Sequence, residues 1–202
     1  MKGKLGAWLP ALMGEKMNNA ANIKQNANNI MYIDSRQRWC NYAWTIRNYF
    51  VSSLEDLPDS VTSKAWVIKS IYKIAEPLKD NINEYTAFKM IQLLYSMFSL
   101  LNDKVEQVKE GKEAIQLEIV DIATLSSIAE LLSSLNPSMD QEKWLSALEL
   151  IFNLMINQIM ARTAQEWVLD EKYQEAILEQ ISFISDNIMI AVFSEDQECK
   201  GE

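Results

Sequence analysis

The sequence predicts an all-α fold, an antiparallel bundle of about six helices in a single domain. Three observations predict it. Apolar residues recur at steps of three and four through every long segment, the period of a helix buried on one face. Glycine is scarce, with five in 202 residues and only Gly111 between residues 15 and 200, so tight hairpins and glycine-rich phosphate loops have nowhere to form. Pro58, Pro77, Gly111 and Pro137 fall between the periodic stretches and mark where helices stop.

Residues 1–30 are read as an N-terminal arm, or a short helix docking Trp8 and Leu9, because Pro10 interrupts a short apolar run that leads into an asparagine-rich stretch. The bundle is expected over 31–194. Its first helix runs from Tyr32 to Asp56, with Trp39, Tyr42, Ala43, Ile46, Tyr49, Phe50 and Leu54 on one face. A second runs from Val61 to Ala75 and is ended by Pro77. Asn83 caps a third that reaches Glu110; its middle, Ala87 to Leu101, is apolar on most sides and therefore central.

The fourth helix is predicted from Glu113 to Leu135, with Ile119, Ile122, Ala123, Leu125, Ile128, Leu131 and Leu132 inward. A fifth follows from Met139 to Trp167, its acidic first turn suited to the positive end of a helix dipole. Asp170 is the expected cap of the sixth, which carries Tyr173, Ile177, Ile181, Ile184, Ile188 and Val192 inward. Residues 195–202 read as a disordered, solvated tail.

Composition narrows the chemistry. The net charge of −9 leaves no basic surplus for phosphates, so nucleic acid is not an expected partner. Histidine is absent, which removes Ser/His/Asp and Cys/His triads and imidazole metal sites. Cys40 and Cys199 are far apart and read as free thiols of a reducing cytoplasm, with Cys40 buried and structural. No stretch of about 18 apolar residues runs without polar interruption, so no membrane span is expected. The acids Glu118, Asp121, Glu149, Glu166, Asp170, Glu175 and Glu179 read as solvated faces rather than a metal centre.

Three stretches, WCNYAWTIRNYFVSSLEDLPD, LLSSLNPSM and MARTAQEWVLDEKYQEAILE, resemble a family of small all-helical proteins from Firmicutes, over roughly residues 36 to 193. Its members are often labelled acetylglutamate kinase or glycosyltransferase without the residues for either. The resemblance implies inward histidines and carboxylates on facing helices. Trp39 and Arg47 stand in the family's places on the first helix, but Tyr42 occupies a histidine position. The Glu-His pair of the third helix falls on Ser96 and Met97, and the acidic-His pair of the fifth near Leu150 and Ile151.

Tyr42, Arg47, Met97, Ile151 and Arg162 are therefore the candidate ligand-binding residues, with no catalytic residue, metal or cofactor expected. Arg47 and Arg162 need carboxylate partners if buried, and Glu166, Asp170 or another acid of the last two helices is the expected partner of Arg47. The aromatic excess of the first helix is expected mainly to pack in the core, with the arm, a ligand or another chain as the alternative partner for one side of Trp44. The function expected is non-enzymatic: a structural or protein-interaction bundle, degenerate at its family's site, with self-association into a homo-oligomer as one route. The alternative is a binder of a small apolar ligand in a pocket between helices.

Overall fold

In a computed structural model the periodic segments form six helices: α1 (Trp8–Leu54), α2 (Ser60–Asn81), α3 (Glu84–Lys109), α4 (Ile119–Leu135), α5 (Gln141–Thr163) and α6 (Trp167–Glu198). The structure describes residues 8–112 and 116–198, with side chains over 29–112 and 116–190, and no strand occurs among them. Each helix packs on the next in sequence, and α6 returns to α1, so the bundle closes on itself. The odd-numbered helices α1, α3 and α5 also touch one another, and the even-numbered ones cover the seams between them. Paired residues show the antiparallel register: Ser52 with Ser63 and Thr45 with Ser70 join α1 to α2, and Ser35 with Ser185 joins α1 to α6.

One contiguous core results. It runs from Trp39, Tyr42 and Ile46 of α1 through Met90, Met97 and Phe98 of α3 to Ile151 and Phe152 of α5 and Ile177 to Ile188 of α6. The helix ends follow local chemistry. Asn83 accepts from the Thr86 amide at 2.8 Å and caps α3, while the Asp140 carboxylate accepts from the Lys143 amide at 2.9 Å and caps α5. Just past α3, Gly111 takes φ +87, a left-handed turn that glycine adopts without Cβ strain.

Several expectations are corrected. The arm or short helix over 1–30 is instead, from Trp8 on, the first half of α1; Pro10 lies in the first turn, where a missing N–H breaks no helical bond. Residues 1–7 lie outside the described residues, and the expected docking of Trp8 and Leu9 falls on side chains outside the described ones. The tail is helical as far as Glu198, and 199–202, with Cys199, lie outside as well.

Pro77 does not end α2. The carbonyl that its absent N–H would have bound, that of Lys73, accepts instead from the Arg38 guanidinium at 2.7 Å, so the helix continues to Asn81. Arg38 also pairs with Asp34 and Glu76, which fixes it over the break.

α4 starts at Ile119, behind a capping box in which Asp121 accepts from the Glu118 amide at 2.7 Å. Its first turn faces Asp121 into the bundle, and Ile119, Ile122 and Ala123 are exposed rather than inward. α5 stops at Thr163, and Gln165 at φ 59 reverses the chain, so α6 begins at Trp167 and Asp170 lies inside its first turn rather than capping it.

Candidate functional site

The expected arginines converge on one acid. Arg47 near the end of α1 donates to both oxygens of Asp170, Nη2 to Oδ2 at 2.7 Å and Nε to Oδ1 at 3.3 Å. Arg162, in the last turn of α5, donates Nη1 to the same Oδ2 at 3.3 Å and pairs through Nη2 with Glu55. Asp170 is 1% exposed, so water cannot solvate its charge and two guanidiniums do so instead. Trp167 stacks on Arg162 with its ring centre 4.5 Å away, and Trp44, 43% exposed, lies 5.7 Å from Arg47.

The network continues inward through two amides. Gln158 Nε2 donates to the Asp170 carbonyl at 3.3 Å and to Gln174 Oε1 at 3.0 Å, and both glutamines are buried. Their signal in the sequence was positional: Gln158 continues the apolar step Ile151–Met155 of α5, and Gln174 precedes Ile177 on α6 at the same spacing. Two arginines against two acids leave no net charge, and the cluster joins α1, α5 and α6.

Tyr42, Met97 and Ile151 are brought together differently. All three lie in the apolar core, and no polar contact links them to the arginine pair. The Tyr42 hydroxyl is fully buried with no hydrogen-bond partner, and burial pushes the phenol well above its ordinary pKa of 10.0. Ser96 and Leu150, beside Met97 and Ile151, face solvent.

A second buried ion cluster was not legible as such. Lys104 of α3, 2% exposed, meets Glu118 Oε1 and Asp121 Oδ2, each at 2.9 Å. Burial lowers the lysine pKa, but the two carboxylates outweigh it and hold Lys104 above its ordinary 10.5. Lys104 in turn lowers Glu118 below 4.5. Asp121 and Asp170 are thus interior ion partners, not solvated faces, whereas Glu171, Glu175 and Glu179 are exposed. Cys40 is half-buried and unpaired rather than a buried structural thiol. No group of three potential metal ligands from His, Cys, Asp and Glu occurs among the described residues.

The surface carries the other unusual feature. Trp66 and Tyr72 on α2, with Tyr85, Phe88 and Tyr95 on α3, are exposed on adjacent helices. Between these helices runs an open groove of about 450 Å³, with Ala75, Ala87 and Ile91 among its lining residues and Tyr72 and Phe88 beside them, 58% and 55% exposed. Lys69 and Lys73 also line it, and neither pairs with an acid among the described residues. Tyr42, Arg47, Met97 and Ile151 line no part of it.

α5 alone among the described helices is long and apolar enough to cross a membrane, with mean hydropathy 1.3. Its most apolar window is 56% buried against neighbouring helices, as befits a core helix. Comparison of the chain with protein-family models, with curated proteins and with solved structures finds no match.

Proposed function

We propose that the chain is a non-enzymatic helical bundle that works by contact with another polypeptide, and that the α2–α3 face makes the contact. One observation carries this reading: Tyr72 of α2 and Phe88 of α3, each more than half exposed, flank the groove between two adjacent helices, and Tyr85 and Tyr95 are exposed on α3 as well. Folding gives little reason to leave them there, since single exposed apolar residues are ordinary but a contiguous aromatic patch marks an interaction surface.

The polar interior supports the same reading. Arg47 and Arg162 are held on Asp170, Arg162 also on Glu55 with its Nε left unpartnered, and Tyr42, Met97 and Ile151 pack among apolar neighbours. The resemblance to the Firmicutes helical family fits a member whose inward polar centre has given way to packing. A small apolar ligand between the helices has less in its favour, because none of those three core residues lines the α2–α3 groove.

The test is a photo-crosslinking phenylalanine analogue at position 88, in the cells that natively make the protein. The reading expects a polypeptide adduct that the same probe at Leu150, exposed on α5, does not give. Equal labelling from both positions would contradict it.

A further inference from the structure

Charge is distributed unevenly around the bundle. α2 carries Lys64, Lys69, Lys73 and Lys79 against Glu76 and Asp80, in a chain of net charge −9. α6 carries eight acidic residues and a single lysine, Lys172. Within α2, Lys79 is paired with Glu84 and Glu76 with Arg38, which leaves Lys69 and Lys73 as the uncompensated charges at the groove. On α6, Glu171, Glu175 and Glu179 are exposed, and none forms an ion pair among the described residues.

The two sets match in spacing and in chemistry. Lys69 and Lys73 are four residues apart, as are Glu175 and Glu179, so each pair repeats along its helix by about 6 Å. The α6 stripe then turns apolar: Phe183 is the next residue at the same step, and Ile190 lies two turns further on, both exposed. The groove offers the same combination, a lysine pair beside Tyr72, Phe88 and Ile91. α2 packs on α1 and α3, and α6 on α1, α4 and α5, so the two surfaces lie on different sides of one chain.

We infer that the groove between α2 and α3 receives the outer stripe of α6 from a second copy of this chain, Lys69 and Lys73 facing the glutamates and Tyr72 and Phe88 facing its apolar end. This rests on the α2–α3 face being an interaction surface and names what it binds. The contact uses two different surfaces, so it propagates head to tail into a ring or an open chain rather than closing as a two-fold dimer. Elsewhere two copies of net charge −9 repel, which confines association to this complementary pair.

Charge reversal tests it on the purified full chain by sedimentation velocity across a concentration series. One variant carries Lys69→Glu and Lys73→Glu, and the other Glu175→Lys and Glu179→Lys. All four positions are exposed, so both variants should melt as the parent does. Each alone should associate at least about tenfold more weakly. An equimolar mixture should recover association, because each altered surface then finds its complement, and recovery also shows that both variants are folded. A parent chain that stays monomeric throughout, or a mixture that does not recover, overturns the inference. The position 88 crosslink separates this from the broader reading. An adduct to α6 peptides supports both, an adduct to a different polypeptide overturns only the second-copy inference, and no adduct overturns both.

Discussion

Arg47 of α1 holds both carboxylate oxygens of Asp170, in the first turn of α6, at 2.7 and 3.3 Å, and so ties the first helix of the bundle to the last. The side chain of Asp170 is 2% exposed and that of Arg47 20%, which makes the acid the dependent partner. Arg47→Met alone should therefore destabilise the fold, by about 1–3 kcal/mol, since Arg162 still reaches one oxygen at 3.3 Å. Arg47→Met with Asp170→Leu should recover most of the loss, because it removes the stranded charge as well. Urea unfolding of the two variants decides it; a double variant no more stable than the single one would show that the ion pair itself supplies the stability.

Lys104 makes a parallel case between α3 and α4. Lys104→Met leaves Asp121 buried beside a hydrocarbon side chain and should cost about 3 kcal/mol or more. Addition of Asp121→Asn, which keeps an acceptor for the Glu118 amide, should return part of it. Thermal melts of the single and double variants measure this.

The pH profile follows from the same groups. Lys104 and Tyr42 are raised in the fold, so their contribution is complete below their unfolded values of 10.5 and 10.0 and is lost as pH climbs through the folded ones. Glu118 is lowered, so its contribution is present above 4.5 and is lost as pH falls through its folded value. Melting temperature should be flat between these limits with respect to the three groups, and Lys104→Met should flatten the alkaline limb.

How much of this was legible in the sequence depended on the kind of interaction. Helical period placed six elements, because burying one face imposes a step of three and four whatever the partner. Asn83 and Gly111 marked the ends of α3 by local hydrogen bonding and backbone freedom. Pro77 misled, because the group that replaces its bond comes from Arg38 on another helix, and no local pattern records that. Arg47 suggested its own acid, since it lies at the margin of an apolar face. Lys104 did not: it reads like any lysine in an amphipathic helix until α4 brings Glu118 and Asp121 against it. The α2–α3 aromatic face was missed for a related reason: periodicity locates an apolar residue near a core but not how far a core extends.

The Arg38–Pro77 relationship yields a double-mutant cycle. Pro77→Ala restores an N–H for the Lys73 carbonyl and should stabilise α2 by about 1 kcal/mol. Arg38→Leu should be more damaging with Pro77 present than with Ala in its place, with a coupling of about 1 kcal/mol. Denaturant titration of the four proteins measures it; purely additive effects would mean that Arg38 acts only through Asp34 and Glu76.

Tyr42→Phe separates packing from binding at the core candidate. The hydroxyl is buried without a partner, so removing it should leave stability unchanged or raise it by up to about 1 kcal/mol. A lower melting temperature would show that the hydroxyl has a partner in solution.

The most direct test that the α2–α3 face receives a second copy of the chain is sedimentation of the Tyr72→Ser, Phe88→Ser variant beside the parent over one concentration series. Both side chains are more than half exposed, so the variant should keep the parent's melting temperature closely. The parent's weight-average sedimentation coefficient should rise with concentration while that of the variant stays at the monomer value. Identical curves for the two proteins, or a variant that no longer folds, would contradict it.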